Sequence, residues 1–94
     1  MRYVADLSPG SVRMLAFAGA RDAIGAAEVE LALDAGSGRA ATAADVLRLA
    51  CARFPALSPY QGCIRVAVNG TYATETTPVV PGDEVALIPP VAGG

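Results

Sequence analysis

Alternation of inward apolar residues with others recurs on both sides of a single long helical stretch. That pattern confines the chain to folds in which one helix packs on one sheet. Val12 to Ala18 places Val12, Met14 and Ala16 on one side and Arg13, Leu15 and Phe17 on the other, and Glu28 to Leu33 sets Val29, Leu31 and Leu33 against Glu28, Glu30 and Ala32. A period of two is that of a half-buried strand. Between these stretches, Gly19 to Ile24 reads as a short helical turn stopped by Gly25, so the two strands are expected to pair as an antiparallel ribbon.

Thr42-Ala43-Ala44-Asp45 follows a loop rich in Gly and Ala and reads as a Thr N-cap with an acidic side chain three residues on, a variant of the capping box. In the helix that begins there, Leu47, Ala50, Cys51 and Phe54 fall at the spacing of a buried stripe with Val46 beside it, while Arg48 and Arg53 lie off it. Pro55 ends the helix by pushing the residue before it out of the α region. After a connection from Ala56 to Gly62, the strand Ile64 to Asn69 turns Ile64, Val66 and Val68 inward and Arg65, Ala67 and Asn69 outward. Asn69-Gly70 is a turn, Tyr72 to Ala73 a brief strand and Pro81-Gly82-Asp83 a second turn. The last strand, Glu84 to Ile88, has Val85 and Leu87 inward.

The order ββαββ predicts an α+β domain, a mixed sheet of four to five strands with one main helix on one face. The uncovered face of such a sheet is ordinarily polar. Here Leu15, Phe17, Ala67, Ala86, Ile88 and Tyr72 all point outward, and an apolar patch on a small domain marks a partner surface. Packing of some of these residues under loops or under residues 1–11 is the alternative. Residues 1–11 contain Ser8-Pro9-Gly10-Ser11 without periodicity and read as a loose extension ahead of a domain spanning 12–88, with 89–94 as a tail.

A chain of 94 residues buries roughly 60 to 65 per cent of its unfolded surface, enough for one core but not for a deep enclosed active site. Histidine is absent, which removes the usual general base and the commonest metal ligand. Cys51 and Cys63 are not in a CxxC pair and have no soft co-ligands, so the expectation is two small buried hydrophobes, with a disulfide or persulfide relay as the alternative. Net charge is −2, and the seven basic residues, all Arg, are spread from Arg2 to Arg65. Nucleic-acid binding has no electrostatic footprint in such a pattern. The longest run free of charge, Phe54 to Ile64, is too short to span a membrane. Met14 to Ala20 has the small apolar character of a secretory signal, but it is short and Asp6 precedes it, so a cytoplasmic chain is expected.

The tail, Pro89-Pro90-Val91-Ala92-Gly93-Gly94, is stiff and then thin. Proline fixes φ, whereas two glycines without Cβ can enter a narrow pocket in conformations closed to other residues. The residues alone permit either a frayed end or a working C-terminal carboxylate on Gly94.

Three segments resemble the ubiquitin-like β-grasp family, and more narrowly the small sulfur-carrier subunits of molybdopterin synthase (MoaD-like). They are Leu15-Ala16-Phe17-Ala18-Gly19-Ala20-Arg21-Asp22-Ala23-Ile24-Gly25, Val66-Ala67-Val68-Asn69-Gly70, and the run from Gly82-Asp83-Glu84-Val85 through Pro89-Pro90 to Gly93-Gly94. Together they frame residues 12–94. The Phe-Ala-x-x-Arg-Asp-x-x-Gly segment favours this branch over the sulfur carriers of thiamin and cysteine synthesis, which share the fold and the Gly-Gly end.

The resemblance implies a sulfur-donating subunit that is not itself catalytic and binds no cofactor. An adenylyltransferase of the ubiquitin-activating type (MoeB-like) uses ATP to adenylate Gly94, and a sulfur donor such as a sulfurtransferase makes a C-terminal thiocarboxylate. That thiocarboxylate donates sulfur to cyclic pyranopterin monophosphate inside the large synthase subunit (MoaE-like), in a heterotetramer of the two kinds of subunit. Gly93 then supplies clearance and Pro89, Pro90, Val91 and Ala92 project the tail. Phe17, Tyr72 and Ile88 form the docking face, and Arg21 a rim ion pair. A sulfur carrier for thiamin or cysteine synthesis, a ubiquitin-like modifier joined to target lysines, and a plain binding module with an idle tail are the other readings.

Overall fold

The first and last strands of the sheet lie side by side, although most of the chain separates them. In the computed structural model, which describes residues 10–33 and 41–90, β1 (Ser11–Ala16) and β7 (Glu84–Ile88) pair in parallel with Met14 opposite Val85 and Ala16 opposite Leu87. All four of these side chains are buried. β2 (Glu28–Ala32) runs antiparallel to β1, as the alternation predicts, with Val12 facing Leu31 and Arg13 facing Glu30. On the other side of β7, β4 (Arg65–Val68) is antiparallel, and β5 (Thr71–Tyr72) closes the sheet, giving the order β2-β1-β7-β4-β5.

Between β1 and β2, α1 (Ala18–Ile24) replaces the end of the strand expected to reach Ala18. The break has a local cause. Ala18 takes φ of 49°, in the left-handed region, so the ladder cannot continue beyond Phe17. α1 ends as expected on Gly25, whose φ of 85° lets its amide donate to the Arg21 carbonyl at 2.8 Å.

α2 (Ala43–Arg53) begins on the capping box read from the sequence. The Asp45 amide donates to Thr42 Oγ1 at 3.3 Å and the Thr42 amide to Asp45 Oδ2 at 3.0 Å. The buried stripe is rotated from the expected one: Ala43, Val46, Ala50 and Cys51 are buried, whereas Leu47 and Phe54 lie at its margin. Pro55 ends α2, but the connection behind it is structured, a 3-10 helix over Pro55–Tyr60 that drives Leu57 into the core. A second, two-stranded sheet unites β3 (Ala41–Thr42) with β6 (Pro78–Val79). The amides of Ala43 and Ala44 extend this contact by donating to the carbonyls of Thr77 and Glu75, at 2.9 and 3.1 Å. Two of the donors that a helix start leaves over are thereby satisfied.

The result is an α+β arrangement with the core between the sheet and the helices, centred on Val12, Met14, Val46, Leu57, Val79, Val85 and Leu87. Asn69 and Gly70, with φ of 51° and 86°, form the tight β4–β5 turn. Among the described residues no helix is long and apolar enough to cross a membrane.

Candidate functional site

The parity of β7 decides which residues lie beside Ile88 on the sheet. Val85 and Leu87 point into the core, so Glu84, Ala86 and Ile88 face away from the helices. The register then lines up three rows across that outer face. Glu30, Arg13 and Glu84 form a charged row; Glu28, Leu15, Ala86, Ala67 and Tyr72 form the second; Ile88 and Arg65 lie in the third, beside Phe17.

In the charged row the Arg13 guanidinium meets the Glu84 carboxylate and lies 3.8 Å from that of Glu28. Leu15 and Ala86 are half-buried and Ala67, in a strand with neighbours on both sides, is 8 % exposed. Apolar character at the surface therefore comes mainly from the large residues at the ends: Phe17 is 48 % and Tyr72 64 % exposed. The patch expected from alternation is present, with Ala67 as its floor rather than a contact residue.

Phe17 is held at the third row by its own backbone. Its amide donates to the Leu87 carbonyl at 3.2 Å, the last rung between β1 and the strand that leads to the tail, while the left-handed bend at Ala18 carries α1 away. Arg21, exposed on α1, borders a notch of about 260 Å³ that Leu15, Phe17, Ala27 and Glu28 also line. Pro89 follows Ile88 and is buried; Pro90 is exposed. Phe17, Ile88 and Arg21 thus lie at one end of the outer face, Tyr72 stands on the edge strand β5 one row away, and Pro89 and Pro90 continue from Ile88. Val91, Ala92, Gly93 and Gly94 lie outside the described residues.

Sequence reasoning missed Arg65 as a site residue. It lies opposite Ile88, and its guanidinium carbon stands 5.7 Å from the centre of the Tyr72 ring, within cation–π range. Its outward parity was readable. Its position at the tail exit follows only from the β4–β7 register.

The cysteines divide. Cys51 is buried as expected, and burial pushes its thiol pKa up. Cys63 is exposed, against expectation, because it ends the turn after the 3-10 helix, its amide donating to the Tyr60 carbonyl at 2.8 Å. Both are free thiols, which rules out the disulfide between them. No cluster of three or more His, Cys, Asp or Glu side chains able to hold a metal occurs among the described residues.

The ThiS family model matches residues 14–94. A molybdopterin synthase sulfur carrier subunit of Arabidopsis thaliana is 34 % identical over 89 residues, covering 95 % of this chain and 88 % of that protein. One from Aedes aegypti is 36 % identical over 86 residues, 88 % of each. Among solved structures, the small archaeal modifier protein SAMP1 of Haloferax volcanii superimposes with a TM-score of 0.76 at 33 % identity, covering 90 % of this chain and all of its own. The sheet order, the single long helix and the likeness along nearly the whole length agree: the chain belongs to the ThiS family, has the ubiquitin-like β-grasp fold, and is similar to the small sulfur-carrier subunits of molybdopterin synthase.

Proposed function

We propose that the chain carries sulfur for molybdenum cofactor biosynthesis as a thiocarboxylate on Gly94. The observation that carries this reading is that the family likeness runs through residue 94 and so takes in Gly93-Gly94. The fold gives it mechanical sense, since β7 is flanked by β1 and β4 in the sheet and anchors the segment that follows it.

A carboxylate is a poor acyl donor because it is anionic and would have to expel oxide. A partner of the ubiquitin-activating type uses ATP to join the Gly94 carboxylate to AMP, releasing pyrophosphate. A donor supplying sulfur at the sulfide level then attacks the acyl carbon, AMP leaves with the oxygen of the broken acyl C–O bond, and a terminal C–S bond takes its place. The resulting sulfur is anionic and polarisable, the properties that make a thiolate a good nucleophile. In the active site of a second, larger subunit it forms a C–S bond to cyclic pyranopterin monophosphate as a carbon–oxygen bond of that substrate breaks. Water then cleaves the acyl C–S bond of the resulting thioester, leaving sulfur on the substrate and returning the carboxylate to Gly94.

This chain's contribution to those steps is mechanical. It supplies position: a tethered nucleophile gains effective molarity over free sulfide, and Pro89 and Pro90 reduce the freedom that docking removes. The outer face, with Phe17 and Ile88 at its centre and Tyr72 and Arg21 at its edge, docks the activating enzyme and the large subunit in turn.

Intact mass after incubation with the activating enzyme, ATP and a sulfur source tests the chemistry. A gain equal to exchanging one oxygen for sulfur, located on the C-terminal peptide, supports it; an unchanged mass with an active partner refutes it. The likeness to SAMP1 favours a second reading, conjugation to target lysines. That reading requires covalent ladders in cell extracts that vanish when Gly94 is deleted.

A further inference from the structure

The outer face is electrically lopsided along its strands. Its upper row holds Glu30 and Glu84 around Arg13, with Glu28 one step below, three carboxylates to one guanidinium. Its lower end is basic on the side of Arg65, which flanks Ile88, while on the other side Arg21 shares the notch beside Phe17 with Glu28. Among the described residues neither Arg21 nor Arg65 has a carboxylate partner, whereas Arg13, Arg48 and their acidic neighbours are paired. Between the ends runs the second row, uncharged over Leu15, Ala86 and Ala67 and carrying Glu28 at its β2 edge.

Arg65 differs from Arg21 in being braced. Its guanidinium lies over the Tyr72 ring, on the strand next to β7 and level with Ile88, the residue before the tail begins. Stacking on an aromatic face holds a guanidinium in one orientation while leaving its N–H donors available, and its planar fork suits a carboxylate.

We propose that Arg65, steadied by Tyr72, is the charged anchor of the docking face and pairs with a carboxylate at the mouth of the large-subunit pocket that receives the tail. The acidic upper row correspondingly meets basic groups on the same partner. This rests on the reading of the outer face as the surface that docks the large synthase subunit. Opposite charges at the two ends fix the orientation of docking, because a partner turned end for end sets like charges against each other. The tail is then aimed at the pocket before it enters.

The test is the affinity of the full chain for the purified large subunit, measured by calorimetry at low and moderate salt. Arg65→Glu is expected to weaken binding at least tenfold. Arg65→Gln is expected to weaken it less and to flatten the dependence of affinity on salt, a readout that lost packing does not move. Arg65 is exposed, so both variants are expected to keep the wild-type melting temperature. Wild-type affinity and salt dependence in Arg65→Glu, with the wild-type chain binding normally, overturns the anchor and leaves the sulfur-carrier reading intact. A wild-type chain that does not bind the large subunit overturns both.

Discussion

Asn69 and Asp83 join two turns that are 14 residues apart: Asn69 Nδ2 donates to Asp83 Oδ1 at 3.0 Å. The same Asn69 side chain accepts from the Glu84 amide through Oδ1, also at 3.0 Å, while Asp83 Oδ2 accepts from the Val80 amide at 2.9 Å. The β4–β5 turn is thereby fastened to the start of β7. Asn69 also tolerates its φ of 51°, where most residues are strained.

Asn69→Ala therefore removes two side-chain hydrogen bonds and places a less tolerant residue at positive φ. Each bond contributes about 1 kcal/mol, and partial exposure reduces that, so a loss of roughly 1 to 2 kcal/mol is expected in urea unfolding. An unchanged midpoint would show the turn-to-turn link to be ornamental.

Ala18 offers the reverse case. With φ of 49° it occupies the left-handed region without the side chain that makes Asn acceptable there. Ala18→Gly is expected to relieve strain of about 1 kcal/mol, offset in part by glycine's greater freedom in the unfolded chain. The expected outcome is a stability equal to or above that of the wild type, and a drop beyond 1 kcal/mol in denaturant titration contradicts the strain.

Phe17→Arg changes a side chain that is 48 % exposed and whose backbone hydrogen bond to Leu87 does not depend on its identity. The fold should survive, as read by thermal unfolding. Affinity for both the activating enzyme and the large subunit should fall more than tenfold, the scale of a buried aromatic anchor, about 2 kcal/mol or more. Retained affinity for either partner would mean that the two do not share this surface.

The cysteines should separate chemically. Iodoacetamide is expected to label exposed Cys63 in the native protein and buried Cys51 only on unfolding. Burial raises the Cys51 pKa in the folded state, so below the unfolded thiol's value of about 8.5 both states are protonated and the stabilisation is complete. As pH climbs from there towards the folded value, the unfolded state ionises first and stability falls. Cys51→Ala should lose that part of the alkaline decline; identical slopes above pH 8.5 would exclude Cys51 as its source.

Local chemistry was legible in the sequence because it depends on residues a few positions apart. Thr42 and Asp45 form the capping box, Asn69-Gly70 turns, and Gly25 stops α1, each by a mechanism contained within four residues. The strand faces were legible too, since parity needs no partner. What needed the structure was pairing. The two-residue strands β3 and β6 have no pattern of their own and exist through each other. Leu57 lies behind a proline in a segment without periodicity, and Val46 rather than Leu47 takes the centre of the α2 stripe because the sheet below sets the rotation of the helix. Arg65 became a site residue only when β4 was aligned on β7.

The placement of β7 between β1 and β4 also bears on how the molecule is made. A nascent chain still attached to the ribosome at residue 80 has β1 and β4 but nothing to join them, and closing such a distant contact is slow. The β1–β2 and β4–β5 pairs can form locally, but their union into one sheet waits for β7. A product truncated before that strand lacks the element that joins the β1–β2 and β4–β5 pairs, so its sheet cannot close.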